Sequence, residues 1–520
     1  MKTPSTLFAR PVRTAGLASL ALLAAISGWS ADNDNTALRA DALAGLKRAA
    51  TYFRTQVASH GGYVYYVSED LKQHVGEGIA TRDQIFVEPP GTPTVGRAYL
   101  EAYEATGDGY YLEAAKETAY ALIYGQLESG GWSQRIDFDP NGTHVGRYRN
   151  GKGKKDGFNH SSLDDNQTQS SIQFLARLDK ALQFKDATIH ESAQYALAGL
   201  LKAQFPIGAF PQGWKEPVAT YPVLKASYPA EWLRVWPHEN YSKYYTLNDG
   251  LVGTVSDTLL AAVEAYPNDI YRAALTRLGD FLVLAQMPDP QPVWCQQYNY
   301  EMQPTWARKF EPPAICTFES EDAIKTLMKV YRVTGDRKYL EPIPRALAYL
   351  RTCVLPDGQV PRYFELQTNR PLYMTRKPGV SGNSNAPGYY DFSYSDKNLP
   401  SHYGWKQTPR LDDIEKEFAA LRQGPVPPAR LAQKVTREGK LVAIDPAEYA
   451  AKPSVKQLER EVRQILRALD QQGRWLTVYD GKARLIGQPK FAKGFRYLSS
   501  NDFNYNVEVL SKYLAVTRPN

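Results

Sequence analysis

The chain has 520 residues, 22% of them charged, and a formal net charge of +7. At roughly 150 residues per domain, that length allows about three domains or one large helical ring or barrel. The mild basic excess favours an anionic partner. It forms no Lys/Arg run of the kind that marks nucleic-acid binding, and no stretch beyond the amino terminus is long and apolar enough to span a membrane. The 35 Tyr outnumber the 18 Phe, which suits helix interfaces and wet concave surfaces, since a tyrosine ring is apolar with a polar tip.

Residues 1–30 read as an export signal. Lys2, Arg10 and Arg13 precede an apolar run from Ala15 to Ile26, and small residues follow up to Ala31. The run is too short for a stable bilayer-spanning helix. Cleavage is expected near Ser30 or Ala31, giving a secreted or periplasmic protein. Loss of the three basic residues lowers the net charge from +7 to about +4.

From there to residue 520 the chain reads as helical. Helices are predicted near 37–58, 95–106, 110–127, 165–183, 188–204, 249–265, 268–286, 318–333, 337–352, 410–422, 455–470 and 500–516. Each has apolar residues at three- and four-residue spacing. Tyr103–Ile123 and Tyr331–Arg351 both place Thr-Gly-Asp between two helical patterns. Glycine fits the left-handed end of one helix and aspartate the start of the next, so each copy predicts a helical hairpin. Short elements with glycine or proline and an aromatic recur between helix pairs, as at Gly61-Gly62-Tyr63, Gly130-Gly131-Trp132 and Gly473-Arg474-Trp475. This recurrence predicts an all-α fold, an (α/α) toroid of about six hairpins with short β elements and long loops at its cleft. An open helical solenoid is the competing architecture. Residues 377–409 read as a loop, and 423–454 as a loop or small insertion. Cys295, Cys316 and Cys353 are odd in number and match no metal spacing, which favours buried free thiols.

Polar and aromatic residues concentrate at the predicted helix ends. Asp164, Asp165 and Asn166 precede one helix, and Asn248-Asp249 opens another. One aspartate is a sufficient cap; two adjacent carboxylates with an asparagine exceed that need. Further segments are Phe210 to Trp214, Trp294 to Gln297, Trp306 to Glu311, and Arg362 to Pro371 followed by Arg376.

In order, these segments resemble the pectic acid lyases, polysaccharide lyase family ten. The family's Asp-Asn-Gly-Ala-Thr-like helix start and Phe-Leu-Ala-Arg stretch resemble Asp164 to Thr168 and Phe174 to Arg177. Its Gly-Trp-Pro-Gln and Phe-Asn-Asp resemble Ala209 to Gln212 and Leu247 to Asp249. Its Trp-Cys-Ala-Gln-His-Asp, Ala-Arg-x-x-Glu and Ser-Glu-Ser resemble Trp294 to Asn299, Ala307 to Glu311 and Phe318 to Ser320. Its Phe-Tyr-Glu-x-x-Thr-Asn-Arg-Pro resembles Tyr363 to Pro371. The resemblance spans about 160–410. Within it, Ser171 stands where the family often has Glu, Leu247 replaces an aromatic, Tyr298-Asn299 replace His-Asp, and Phe210 replaces Trp.

The resemblance implies Ca²⁺-dependent anti-β-elimination on polygalacturonate or a related acidic polysaccharide by a monomeric enzyme. Asp164, Asp165 and Asp249 would hold the cation, offering the hard oxygens it requires. Arg308 would be the base. Gln212, Trp294, Gln297, Asn369, Arg370 and Arg376 would bind substrate, the arginines by forked contacts to carboxylates. Two other readings remain open. One is an unsaturated uronyl hydrolase in which Asp164 or Asp165 acts on water. The other is a noncatalytic acidic-glycan-binding protein on a lyase scaffold.

Overall fold

The structure is a computed structural model, and it describes residues 36–376, 390–424 and 454–518. The predicted export signal, residues 377–389 of the predicted loop, and all but the edges of the predicted 423–454 insertion lie outside the described residues.

Among the described residues there are twelve α-helices, as the periodicity predicts. They are α1 (36–52), α2 (Thr92–Thr106), α3 (Gly109–Tyr124), α4 (Gln167–Ala181), α5 (Ala187–Lys202) and α6 (Leu251–Ala265). There follow α7 (Asp269–Ala285), α8 (Thr317–Thr334), α9 (Ile343–Thr352), α10 (Leu411–Gln423), α11 (Val455–Ala468) and α12 (Ser500–Val516). The first Thr-Gly-Asp copy makes the predicted turn. Gly107 is left-handed (φ +76°) and its N–H donates to Tyr103 O at 2.7 Å. The Asp108 carboxylate accepts from Tyr110 N at 2.9 Å and caps α3. The second copy repeats this only in part. Gly335 and Asp336 behave alike, but Arg337–Tyr339 form a 3-10 turn and α9 begins at Ile343, not at 337. Pro342 and Pro344 have no N–H to give and fit only at a helix start, which places that start at them, with Pro342 as N-cap and Pro344 in the first turn.

The even-numbered helices pack side by side, in the order α12, α2, α4, α6, α8, α10, and odd-numbered helices lie against them. The two chain halves therefore meet. The Arg39 guanidinium donates to Thr517 Oγ1 at 2.9 Å, and strand Tyr66–Ser68 pairs antiparallel with Arg496–Ser499. The glycine–aromatic elements between pairs act alike: the Trp132, Trp294 and Trp475 indole N–H groups donate to Leu122 O (2.8 Å), Leu282 O (2.8 Å) and Ile465 O (3.0 Å). Cys295, Cys316 and Cys353 are all free and buried.

Most buried side chains form one continuous core between the helices. A smaller core lies among the loops and strands at the helix N-termini. It holds Trp306, Cys316, Tyr363, Tyr373, Met374 and Trp405, and joins strands Ile315–Cys316, Tyr363–Phe364, Pro371–Arg376 and Tyr390–Ser393 in one sheet.

Close helix packing supplies a stability test. A Cβ on Gly96 of α2 would lie 2.4 Å from the Phe174 ring of α4. We expect Gly96→Ala to lower stability by about 1–3 kcal/mol through overpacking, read as a lower urea midpoint; an unchanged midpoint would show that the contact yields freely.

Candidate active site

The starts of α4 and α6 build the acidic side of the site, and they do so with the same backbone. A 3-10 turn precedes each helix, at Asp164–Asn166 and at Asn248–Gly250. Within these turns Asp165 and Asn166 (φ +43° and +62°) and Asp249 and Gly250 (φ +54° and +67°) are left-handed. Asparagine, aspartate and glycine tolerate this region best. Because α4 and α6 pack side by side, the two turns meet, and carboxylate oxygens of Asp164, Asp165 and Asp249 lie within 4.8 Å of one another.

The basic side rests on the small core. Three indole N–H bonds fasten the 232–236 loop to the segment that carries Arg308: Trp232 to Pro313 O (2.8 Å), Trp236 to Ala307 O (3.0 Å) and Trp306 to Leu233 O (2.8 Å). Arg308 makes a forked contact with Glu311, Nε to Oε2 at 2.8 Å and Nη2 to Oε1 at 2.6 Å, and Nη2 also reaches Asp249 Oδ2 at 3.2 Å. Glu311 is 1% exposed and accepts in addition from Tyr403 OH at 2.8 Å.

The electrostatics follow from this crowding. Burial, with repulsion from Asp165, pushes Asp164 up to about 6, against the pull of Arg308. Asp165 rises to about 6 through burial, Asp249 and Glu77. Asp249 also reaches about 6; burial dominates, and Arg308 only partly offsets it. Burial alone would lower the Arg308 pKa, but the Glu311 and Asp249 carboxylates outweigh it and hold the guanidinium above its ordinary value. The protein places three anions together, and the cation that contacts them, Arg308, is already engaged with a fourth, Glu311.

The residues fit a hard cation. The buried oxygens Asp164 Oδ1, Asn166 Oδ1, Asn248 Oδ1 and Gln212 Oε1 have no hydrogen-bond partner. Acceptors left without donors beside three carboxylates are the ligand chemistry of a divalent cation such as Ca²⁺.

The other predicted residues divide into four groups. Gln212 stands at the triad and hydrogen-bonds Asp164. Arg376 lies on the Arg308 side, where it approaches His402 Nδ1 at 3.5 Å and Tyr390 OH at 3.3 Å. Asn369 and Arg370 belong to a separate cluster. Asn369 Oδ1 accepts from Gln291 (2.9 Å) and Tyr349 (2.7 Å), and Arg370 lies 3.4 Å over the Tyr394 ring. Trp294 and Gln297 are corrections. Trp294 is 0% exposed with its indole bound to α7, and the 1%-exposed Gln297 uses its amide to tie Tyr241 O to Thr246 Oγ1. Both are packed into the protein, Trp294 against α7 and Gln297 between the 241–246 segment and its own strand.

Several residues outside the predicted set prove to be part of the site. Glu311 was visible in Ala-Arg-x-x-Glu, but only the fold shows it as the Arg308 clamp. Tyr403 comes from a segment with no periodic signal. Glu88, just before α2, is buried beside the triad. It accepts from Tyr65 and from Gln167 Nε2 (2.9 Å), and burial with Glu77 and Asp165 pushes it up to about 8.

Glu88 gives a pH test. A carboxyl raised in the folded state contributes fully below its ordinary value of 4.5, and that contribution is lost as pH climbs to about 8. Wild-type stability should therefore fall across this window with an added slope of up to about 1.4 kcal/mol per pH unit. Glu88→Gln should remove the added slope in urea titrations; parallel profiles would rule it out.

Comparison with known proteins adds a family match over part of the chain. A family model described as pectic acid lyase matches residues 126–330, which contain the triad, Arg308 and Glu311. No curated protein matches the chain. Among solved structures it is similar to a mutant family 10 polysaccharide lyase from Cellvibrio cellulosa in complex with trigalacturonic acid, at 17% identity, covering 64% of this chain and 99% of that one, TM-score 0.42. It is also similar to cellobiose 2-epimerase from Bacillus thermoamylovorans, at 11% identity, 92% and 100% coverage, TM-score 0.42. An alpha-mannanase from Bacteroides thetaiotaomicron is similar at 10% identity, 94% and 97% coverage, TM-score 0.40. Residues 126–330 match the pectic acid lyase model, and this match supports a lyase enzyme.

Proposed function

We propose that this lyase is an exported enzyme that cleaves polygalacturonate, or a closely related uronate polymer, by Ca²⁺-assisted anti-β-elimination. The observation that carries this reading is the meeting of Asp164, Asp165 and Asp249 with Arg308 at one set of helix starts. The order in which the even-numbered helices pack supports a ring of about six hairpins, with the site at its mouth.

The reaction breaks C5–H and C4–O of a uronate and forms a C4=C5 double bond. The C5 proton is weakly acidic, so charge that builds on the neighbouring carboxylate must be stabilised. A cation held by the triad and Asn248 would supply that stabilisation as a Lewis acid. Arg308 is the basic group next to the triad and is 33% exposed. We assign it, as the neutral guanidine, the C5 proton; the C5–H electron pair forms the double bond, and the C4–O pair leaves on the departing sugar oxygen, which water protonates. Asp249 is one of the anions that raise its pKa, and a cation drawing on that carboxylate weakens this influence. Glu311 and Tyr403 fix the direction of the guanidinium. Arg376 and Lys309, clustered on the same side beside His402, favour an anionic polymer over a neutral one.

The test is turnover of polygalacturonate with added Ca²⁺, followed by the ultraviolet absorbance of the unsaturated product. Arg308→Ala and Arg308→Lys are expected to lose at least about 100-fold in kcat, and chelation of Ca²⁺ should abolish turnover. Full activity in Arg308→Ala would remove it from the mechanism. Loss of absorbance from an unsaturated oligosaccharide would indicate a hydrolase, and binding without turnover a glycan-binding protein.

A further inference from the structure

Helix α6 starts without a capping side chain of its own. Its N-cap is Gly250, so the free N–H groups of its first turn need acceptors from elsewhere. Neighbouring α8 supplies two. Gly250 N–H donates to Glu319 Oε2 at 3.1 Å, and Gly253 N–H donates to Asp322 Oδ2 at 2.8 Å. Glu319 and Asp322 are three residues apart, so they share one face of α8 and reach two positions of one helix start. Glu319 is 3% exposed, and its other oxygen lies 3.6 Å from Arg362 Nη1, which is held over the Phe318 and Tyr403 rings. Gly253 allows the close approach: a Cβ there would lie 2.3 Å from Asp322 Oδ1.

Gly250 directly follows Asp249, and both are left-handed. A single left-handed residue that is not glycine costs free energy and persists only where its surroundings hold it. The peptide nitrogen after Asp249 is the atom that Glu319 anchors. These two residues border the same cavity of about 410 Å³ as Asp249 and Arg362.

We propose that Glu319, with Asp322, is a positioning residue that caps α6 from the neighbouring helix and so holds Asp249 in the conformation that turns its carboxylate to the triad. The inference rests on the reading of Asp249 as a cation ligand. Glu319 needs no contact with substrate or cation for this role. It requires an acceptor oxygen at that point, and glutamine provides one as well as glutamate does.

The experiment compares wild type, Glu319→Ala, Glu319→Gln and Gly253→Ala. Calcium binding is measured by isothermal titration of calcium chloride into each folded protein, and the structure of Glu319→Ala is determined. Glu319→Ala and Gly253→Ala are expected to bind calcium about tenfold more weakly or worse, with Glu319→Gln within about threefold of wild type. Asp249 should leave its left-handed conformation in Glu319→Ala. Gly253→Ala removes no polar group, so it decides the matter if Glu319→Ala does not fold. Calcium affinity unchanged in both alanine variants, or lost equally in Glu319→Gln, would overturn the proposal. So would an Asp249 that keeps its conformation and its Arg308 contact in Glu319→Ala. If wild type itself binds no calcium, the functional reading fails, while the variant structure still decides what Glu319 positions.

Discussion

Three carboxylates within 4.8 Å of one another repel, and the fold must hold them together against that repulsion. It does so with backbone. Asp165 and Asp249 each occupy a left-handed position in the turn before a helix, and the two helices pack side by side, so their starts converge. Helix N-termini also carry partial positive charge and unpaired N–H groups, which favour anions near them. The main core between the helices does not touch the chemistry, but it fixes the spacing of the helix starts and hence the spacing of the charges.

The basic side is made differently. Arg308 lies on an irregular segment with no helix to fix it, and its place depends on the small aromatic core and on Glu311. An arginine–glutamate pair this buried gives little net stability, because removing both charges from water offsets most of their attraction. Its value is directional: two parallel bonds leave the guanidinium plane one orientation. The site therefore joins a rigid acidic wall to a basic wall held by ring packing and the Arg308–Glu311 ion pair.

Much of this could be read from the chain alone. Helical periodicity located the twelve helices of the described residues, because each buries one stripe, and the doubled acids Asp164-Asp165 exceeded what capping requires. Other features could not be read this way. The start of α9 was displaced by two prolines whose missing N–H outweighed the apolar pattern. Trp294 and Gln297 sit within a segment that resembles a cleft motif, yet which side chains of a short strand face a cleft and which face the interior depends on its partners across the sheet. Asn369 and Arg370 are close in sequence to Arg376 but stand with Tyr349 and Tyr394, because the chain turns at left-handed Gln367 and Asn369. Glu319 resembled a helix-start residue, and its bond to the start of a different helix is a tertiary fact.

The seam between the two ends of the chain bears on this chemistry as well. Asn504 of α12 donates to Pro90 O at 3.1 Å, two residues beyond Glu88, which packs beside the acids, and to Thr94 Oγ1 at 3.0 Å. Contacts between residues more than 400 apart close a very long loop, an entropic cost that the docking of α12 must offset. Without α12, α2 would have one bare flank, next to the segment that carries Glu88.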